Sequence, residues 1–257
     1  MKSVAELKVQ IFADGADKAS MLELYRQPYI RGFTTNPTLM RKAGVKDYER
    51  FAHEILRQIQ DRPISFEVFA DDEAEMERQA RRIARWGRNV YVKIPVTNTR
   101  RETMYELIHR LSADGIQVNA TALLALDQVD HVAQALRGGA PSYISVFAGR
   151  VADTGRDPIP LMKSALELMA PEPGCQLVWA SPRELLNIIQ ADEIGCHIIT
   201  VTSDVLKKVN LIGKDLHEYS LETVQMFHND AAHSGYTLNT AQEEGVKEAR
   251  PVGSLSS

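Results

Sequence analysis

Short apolar segments alternate with longer amphipathic segments along most of the chain. The apolar segments are rich in β-branched and aromatic residues, as is typical of strands buried on both faces of a parallel sheet. From this pattern we predict strands over Val9–Gly15, Gly32–Asn36, Ile64–Ala70, Val90–Thr97, Gln117–Ala122, Tyr143–Gly149, Gln176–Ser181 and His197–Thr202.

The segments between these strands have helical periodicity. After the second strand, for example, Tyr48, Phe51, Ile55 and Ile59 recur at the spacing of one helix face. We predict helices over about Lys18–Arg26, Asp47–Gln60, Asp71–Trp86, Thr99–Ala113, from the fifth strand to about Leu136, over Pro158–Met169 and from Pro182. Regular strand–helix alternation predicts an α/β fold, a (β/α)8 TIM barrel, with an open doubly wound sheet as the alternative.

A further amphipathic segment follows the last strand–helix unit. Ser220–Ala232 carries Leu221, Val224 and Phe227 at helical spacing and predicts an additional C-terminal helix. Because a barrel does not require it, this helix either packs on a neighbouring subunit or closes its own barrel. No break in composition marks a domain boundary, so we predict one domain over residues 1–236 and a flexible polar tail over 237–257.

Composition narrows the classes of function. The chain has 257 residues and a net charge of −4, which gives no electrostatic case for binding nucleic acid or a membrane surface. No secretion signal or membrane-spanning run is visible, and Cys175 and Cys196 are typical of buried thiols in a reducing compartment. We therefore predict a cytoplasmic protein. Since HExxH, Walker and GxGxxG motifs are absent, we expect no metal, ATP or dinucleotide cofactor.

A single lysine, Lys93, interrupts the apolar strand Val90–Thr97. Burial disfavours a charged amine, and a neutral amine can attack a carbonyl carbon to form a Schiff base. Glu67 lies in the equally apolar third strand and is a candidate partner for this lysine. A purely structural ion pair would explain both residues without catalysis and remains the alternative.

Polar residues collect where the predicted strands end, which is the side of a barrel that holds the active site. They are Asp14, Thr34, Asn36, Glu67, Lys93, Asn119, Thr121, Ser145, Arg150, Ser181 and Arg183. Two of these, Asn119 and Thr121, share one face of their strand. Arg150 and Arg183 follow the sixth and seventh strands, where barrels often bind phosphate, although either residue taken alone is better explained as a solvated surface residue.

Several of these residues lie in motifs that resemble the transaldolase family, which includes fructose-6-phosphate aldolase. The motifs are ADGAD (Ala13–Asp17), GFTTNPT (Gly32–Thr38), FEVFA (Phe66–Ala70), VKIPVT (Val92–Thr97), NATA (Asn119–Ala122), YISVFAGRVAD (Tyr143–Asp153) and ASPRE (Ala180–Glu184). They occur in the family's order over about Val9–Thr202, and TTNPT and VKIPVT together are specific signals.

The resemblance implies a role for each of these side chains. Lys93 is the expected Schiff-base residue, Asp14 the acid/base for the carbon–carbon bond, and Glu67 with Thr121 the pair that holds a catalytic water. The donor hydroxyls are expected on Asn36, Asn119 and Ser145, and the phosphate on Arg150, Ser181 and Arg183. Thr34 and Phe147 complete the predicted substrate-binding set.

Two positions resemble transaldolases rather than the aldolase branch, because Glu67 and Phe147 stand where aldolases have glutamine and tyrosine. We expect transfer of dihydroxyacetone from a ketose phosphate, such as fructose 6-phosphate or sedoheptulose 7-phosphate, to an aldose phosphate of the pentose phosphate pathway. The protonated imine is the electron sink, so no cofactor is needed. Val146 and Pro182 depart from the family pattern beside the predicted phosphate site and leave acceptor choice open.

Three alternatives remain open at this stage. An aldolase would use the same lysine but release free dihydroxyacetone, and a transaldolase of a specialised pathway would act on an unusual ketose. A barrel that only binds a sugar phosphate, or serves as a scaffold, would need a structural Lys93–Glu67 pair.

The short length of the chain resembles the subfamily that forms pentamer-based rings, which implies a homo-oligomer, either a pentamer or a decamer.

Overall fold

A computed structural model describes residues 3–238. Within these residues eight parallel strands close into a barrel, with neighbours in chain order and the last strand paired to the first. The strands are β1 (Gln10–Asp14), β2 (Ile30–Thr34), β3 (Ile64–Glu67), β4 (Val90–Pro95), β5 (Val118–Leu123), β6 (Ser142–Val146), β7 (Cys175–Trp179) and β8 (Ile198–Thr202). The predicted (β/α)8 TIM barrel is confirmed.

Helices connect the strands, and short 3-10 helices occur at Val4–Glu6 and Val209–Leu211. The α-helices are α1 (Lys18–Tyr25), α2 (Pro37–Lys42), α3 (Tyr48–Gln58), α4 (Glu73–Ala84), α5 (Tyr105–Ala113), α6 (Leu126–Ala135), α7 (Ala148–Ala152), α8 (Pro158–Met169), α9 (Leu186–Glu193), α10 (Ser203–Leu206) and α11 (Leu216–Ser234). Aspartates begin several of them: the carboxylates of Asp17, Asp47 and Asp72 each accept a hydrogen bond from a backbone N–H of the first turn.

The predicted helix over Thr99–Ala113 begins late, at Tyr105. The preceding residues form an ordered loop instead, because Thr99 donates to Asp71 through both its backbone N–H (2.8 Å) and its hydroxyl (2.7 Å). Asn98 Oδ1 also accepts the backbone N–H groups of Arg100 and Glu102. These side-chain hydrogen bonds compete with helix formation. The helix begins late because Asp71, which lies on a different loop of the barrel, binds Thr99.

The barrel interior is apolar at its amino end. Phe12, Tyr143, Val178 and Ile198 are buried there, and Tyr91 stacks on Tyr143 with ring centroids 3.9 Å apart. These rings fill the lumen below the polar side chains at the carboxyl ends of the strands. The site described below therefore has a dry, packed floor, and its polar groups can be satisfied only by one another, by water or by a ligand.

The two cysteines are buried and free, as the sequence predicts. Burial raises the pKa of the Cys175 thiol to about 11 and that of Cys196 to about 12. Both side chains are therefore thiols rather than thiolates at neutral pH, so they behave as small apolar groups of the core.

The chain divides after Ile212 into two compact units, and the second contains α11. Asp215 caps the start of this helix, and Gly235 ends it in the left-handed conformation. The helix extends beyond the predicted bounds of Ser220–Ala232 in both directions. The single domain over 1–236 stays a prediction, and residues 239–257 of the predicted tail lie outside the described part of the chain. No helix formed by residues 3–238 is long and apolar enough to cross a membrane.

His197, immediately before β8, should make the stability of the barrel depend on pH. Its Nδ1 accepts the backbone N–H of Leu177 at 3.0 Å, which requires an unprotonated nitrogen, and burial lowers its pKa below the ordinary value. The unfolded state therefore binds more protons than the folded state once the pH falls below about 6.5. We expect the free energy of unfolding to decrease from pH 7 to pH 5, by at most about 1.4 kcal/mol per pH unit.

Urea unfolding of His197→Asn measures this effect, because the amide oxygen still accepts the hydrogen bond but does not titrate. Most of the slope attributed to this histidine should disappear. His217→Asn, at an exposed position of α11, is the control and should keep the wild-type slope. Equal slopes in wild type and His197→Asn would contradict the assignment.

Candidate active site

A cavity of about 660 Å³ opens at the carboxyl ends of the strands. All twelve residues that the sequence proposes for the site line it. A larger cavity, of about 880 Å³, lies at the amino ends of β1 and β2, but Lys8 and Arg31 are the only charged residues among residues 3–238 that line it. Because acid/base chemistry needs a group that accepts protons, the cavity with the carboxylates is the candidate active site.

Lys93 lies in the wall of this cavity and is only 6% exposed. Its Nζ is 3.0 Å from Oε2 of Glu67 and donates to the backbone carbonyl of Thr35, also at 3.0 Å. The register of β3 and β4 pairs Glu67 with Lys93 directly, so the strands themselves set this contact. The ion pair expected from the sequence is present.

Both described partners of the Lys93 amine are hydrogen-bond acceptors. A neutral amine has two N–H bonds, enough to satisfy both acceptors while its lone pair stays available. An ammonium group has a third proton, which must leave before nucleophilic attack, and the carboxylate of Glu67 is a base within hydrogen-bond distance. The arrangement therefore accommodates both protonation states of the amine.

Asp14 ends β1 and keeps a partly exposed surface towards the cavity. Its Oδ1 accepts the hydroxyl of Thr34 at 2.7 Å. Burial raises the pKa of the Asp14 carboxyl, and Glu67 adds to this, whereas Lys93 and the Thr34 hydrogen bond oppose it. A carboxyl whose pKa is raised towards neutrality is suited to both take up and return a proton.

Hydrogen bonds between side chains connect β6, β5 and β3 across the inside of the barrel. Ser145 Oγ donates to Asn119 Oδ1 at 2.7 Å, and Asn119 Nδ2 donates to Ser65 Oγ at 2.9 Å. All three side chains are buried, so the orientation of the Asn119 amide is determined. The sequence did not single out Ser65, although it lies two residues before Glu67 and therefore on the same face of β3.

Thr121 is 2% exposed, and its Oγ1 has no hydrogen-bond partner within the part of the chain that the structure describes. Ala122 next to it has a left-handed backbone, with φ of 66°, and the β5–β6 register shifts between Ala120 and Leu123. This irregularity is typical of bulges beside active sites. A buried hydroxyl without a partner costs about 1–3 kcal/mol, so it indicates where a water or substrate oxygen binds.

Asn36 begins α2, where its Oδ1 accepts the backbone N–H of Leu39 at 3.0 Å and Pro37 takes the first helical position. The sequence left open whether this residue is a cap or a ligand-binding group. It is a cap that also lines the cavity, and its amide NH₂ remains available as a donor.

The loops after β6 and β7 touch through their backbones. A Cβ at Gly149 would lie 1.6 Å from the carbonyl oxygen of Ser181, and Ser181 itself has a left-handed backbone, with φ of 60°. This contact brings Arg150, in α7, and Arg183 to the same cavity. The close approach of the two predicted phosphate-binding loops therefore requires glycine at position 149.

The two guanidinium groups of this region have different partners. Arg150 lies 5.6 Å from the centroid of the Phe147 ring. Arg183 Nε donates to Asp153 Oδ1 at 2.9 Å, and a second bond joins Arg183 Nη2 to Asp153 Oδ2. This bidentate pair keeps the pKa of Asp153 below its usual range. No role for Asp153 follows from the sequence alone, because its partner is distant in the chain.

Four further polar residues of the cavity were not predicted as site residues. Thr200 and Thr202 are on β8, Asp204 follows it, and Thr38 is in α2. The alternation of threonine with apolar residues in HIITVT is the sequence signal for the first two, since residues two apart share a face of the strand. No group of three His, Cys, Asp or Glu side chains among residues 3–238 is arranged to hold a metal ion.

Comparison with known proteins identifies the family. Residues 11–250 match the family described as transaldolase/fructose-6-phosphate aldolase. A probable transaldolase of Dehalococcoides mccartyi is 35% identical over 203 residues, 78% of this chain and 90% of that protein. A probable transaldolase 2 of Listeria monocytogenes is 33% identical over 203 residues, with 78% and 88% covered.

Solved structures with similar folds include a putative deoxyribose-phosphate aldolase from Coccidioides immitis. It has a TM-score of 0.55 and 11% identity, over 82% of this chain and 87% of that one. A mandelate oxidase has a TM-score of 0.53 and 14% identity, over 79% and 67%. Likeness at this level shows the barrel fold alone.

The barrel and the sequence relatives together define an enzyme of the transaldolase or aldolase type. The chain belongs to the transaldolase/fructose-6-phosphate aldolase family. The resemblance inferred from the seven motifs is confirmed.

Gly149→Ala should destabilise the barrel, because the added methyl group would overlap the Ser181 carbonyl oxygen. We expect the free energy of unfolding to fall by about 1–3 kcal/mol, as in other overpacked sites. Gly174→Ala is the matched control, since nothing lies within 4 Å of its added Cβ. Its effect should stay within about 0.5 kcal/mol. Equal urea-unfolding midpoints for the two variants would contradict the close approach of the loops.

Proposed function

We propose that this protein is a class I transaldolase, which transfers a dihydroxyacetone unit from a ketose phosphate to an aldose phosphate through a Schiff base on Lys93. The observation that carries the proposal is the 3.0 Å contact between the buried Lys93 Nζ and Glu67 Oε2 at the cavity wall. Substrates such as fructose 6-phosphate or sedoheptulose 7-phosphate present a ketone to such an amine.

The reaction begins when the neutral Lys93 amine attacks the C2 carbonyl carbon of the donor. The resulting carbinolamine loses its hydroxyl as water, which requires a proton. Glu67 supplies through a water molecule the proton that it took from the Lys93 ammonium group before the attack. The Thr121 hydroxyl, which has no hydrogen-bond partner among residues 3–238, supports a site for that water, because it can donate a hydrogen bond to it or accept one from it. The product is a protonated imine on Lys93.

The C3–C4 bond breaks when Asp14 takes the proton of the C4 hydroxyl. C4 leaves as the carbonyl carbon of an aldose, and the bonding electrons move into the protonated imine to give an enamine of dihydroxyacetone. The enamine then adds to the aldehyde carbon of the acceptor, and Asp14 returns its proton to the new hydroxyl. The raised pKa of Asp14 supports both directions of this exchange.

The remaining polar groups bind the parts of the sugar that do not react. The Asn119–Ser145 hydrogen bond and the capping position of Asn36 support fixed contacts to the donor's hydroxyls. Arg150, Ser181 and Arg183 bind the phosphate, since two guanidinium groups line the same end of the cavity. Thr34 acts through Asp14, to which it donates.

Phe147 favours a transaldolase over an aldolase. Its ring lines the cavity and carries no hydroxyl that could protonate the enamine or activate water for hydrolysis. The intermediate therefore persists until an aldehyde acceptor arrives. The expected cytoplasmic location, the pentose phosphate pathway and a homo-oligomer, pentamer or decamer, stay predictions from the sequence.

Borohydride reduction in the presence of fructose 6-phosphate should leave a three-carbon adduct on Lys93, detected by peptide mass spectrometry. Lys93→Met keeps a side chain of similar length without the amine, so it should lose both the label and all transfer activity. Lys8→Met, in the cavity at the opposite end of the barrel, is the control and should be labelled at Lys93 like wild type. A label elsewhere, or none, would contradict the mechanism.

The same reaction mixture separates a transaldolase from an aldolase. Without an acceptor, a transaldolase accumulates the enzyme-bound adduct and releases little dihydroxyacetone, whereas addition of erythrose 4-phosphate starts turnover. Continuous release of free dihydroxyacetone without any acceptor would assign the protein to the aldolase activity instead.

A further inference from the structure

We propose that Thr200 is a positioning residue for Asp14: its hydroxyl donates to Thr34, which commits the only hydroxyl proton of Thr34 to Asp14 Oδ1 and leaves Oδ2 to exchange protons with the substrate. The assignment rests on the proposed function for the role of Asp14. It adds a contribution from β8, which neither the motifs nor the family resemblance assigns.

Three side chains from adjoining strands form one hydrogen-bonded chain. Thr34 Oγ1 lies 2.7 Å from Asp14 Oδ1 and 2.5 Å from Thr200 Oγ1. Thr34 is 2% exposed and Thr200 is 6% exposed. Within residues 3–238, neither hydroxyl makes another side-chain hydrogen bond, so Thr34 is the one side-chain partner of Thr200 there and links it to Asp14.

Counting protons fixes the direction of the chain. A hydroxyl has one proton to donate, and an ionised carboxylate can only accept. While Asp14 is ionised, Thr34 must donate to it, and the short contact to Thr200 then requires Thr200 to be the donor. In the reverse direction, a protonated Asp14 would donate from Oδ1 to Thr34, and Thr34 would donate to Thr200. The buried hydroxyl proton of Thr200 would then have no acceptor, which costs more free energy than the direction in which Thr200 donates.

Packing beneath the chain keeps these hydroxyls together. Thr200 pairs in register with Phe12, whose ring fills the lumen under the hydroxyls and is 1% exposed. A Cβ at Gly32 would lie 2.6 Å from that ring, so only glycine at this position lets the ring lie across β2. The apolar ring offers Thr34 and Thr200 no alternative partner.

The consequence for the reaction is an asymmetric carboxyl group. Oδ1 stays an acceptor from Thr34 throughout, and the proton that leaves the C4 hydroxyl binds to Oδ2 as the C3–C4 bond breaks. The same proton returns from Oδ2 when the new bond forms, so the chain itself neither gains nor loses a proton. The other charged groups that face Asp14 are Lys93 and Glu67, and Asp204 lines the same cavity.

The test is a ¹³C NMR titration of the Asp14 carboxyl carbon in the full-length protein, assigned with Asp14→Asn. Thr200→Val keeps the shape of the side chain but removes the hydroxyl that donates to Thr34. The hydrogen bond from Thr34 then stabilises the ionised Asp14 carboxylate less. Its titration should move to higher pH by about half a unit to one unit, the size of one hydrogen bond acting indirectly. Thr200→Ser retains the hydroxyl and should restore the wild-type midpoint.

Two controls exclude a general structural effect. Ser142→Ala removes a buried hydroxyl at the start of β6, where it bonds to the Ala140 carbonyl, and should leave the Asp14 titration unchanged. In a Thr34→Val background, Thr200→Val should have no further effect, because its influence passes through Thr34. An unchanged midpoint in Thr200→Val, or additive shifts in the double variant, would overturn the proposal.

Turnover distinguishes failure of this proposal from failure of the proposed function. The NMR titration reports the hydrogen-bonded chain in the free protein, whether or not the protein cleaves ketose phosphates. If wild type transfers dihydroxyacetone, the acidic limb of kcat/KM should move in Thr200→Val by the same amount as the carboxyl titration. Absence of transfer by wild type would refute the proposed function, while the titration would still decide the role of Thr200.

Discussion

The site depends on one buried ion pair, between Lys93 and Glu67. An amine that is 6% exposed cannot keep its charge in an apolar barrel without a partner, and the β3–β4 register supplies a carboxylate at 3.0 Å. The Thr35 carbonyl satisfies a second N–H. Removal of either acceptor would leave the amine with an unsatisfied N–H group. The Lys93 nitrogen thus links β4 to β3 and to the end of β2.

The barrel separates apolar from polar layers around that pair. Phe12 and the stacked Tyr91 and Tyr143 fill the amino end of the lumen, while hydroxyls, amides and carboxylates occupy the carboxyl end. At that end Lys93 pairs with Glu67, Ser145 donates to Asn119 and Thr34 donates to Asp14, whereas the Thr121 hydroxyl has no partner among the described residues. Side chains that bond to one another hold fixed orientations, which favours catalysis by preorganised hydrogen bonds.

Sequence patterns predict the elements well because strand burial and helix periodicity are local. They also predict the side chains at strand ends, since a parallel barrel brings those ends together. Contacts between distant segments are harder to predict: the loop at Asn98 depends on Asp71, and Arg183 depends on Asp153. The roles of Gly149 and Thr200 were likewise missed, because a close backbone approach and a hydrogen-bond direction appear only in three dimensions.

The central claim is that Glu67 makes the buried amine of Lys93 nucleophilic. The rate at which dihydroxyacetone and borohydride label this lysine, measured from pH 6 to 9 in wild type and Glu67→Leu, tests it most directly. Leucine can neither accept a proton nor bind a water molecule, so labelling at pH 7 should slow by at least about a hundredfold, the usual contribution of a general acid/base. Equal labelling rates across this pH range would contradict the account.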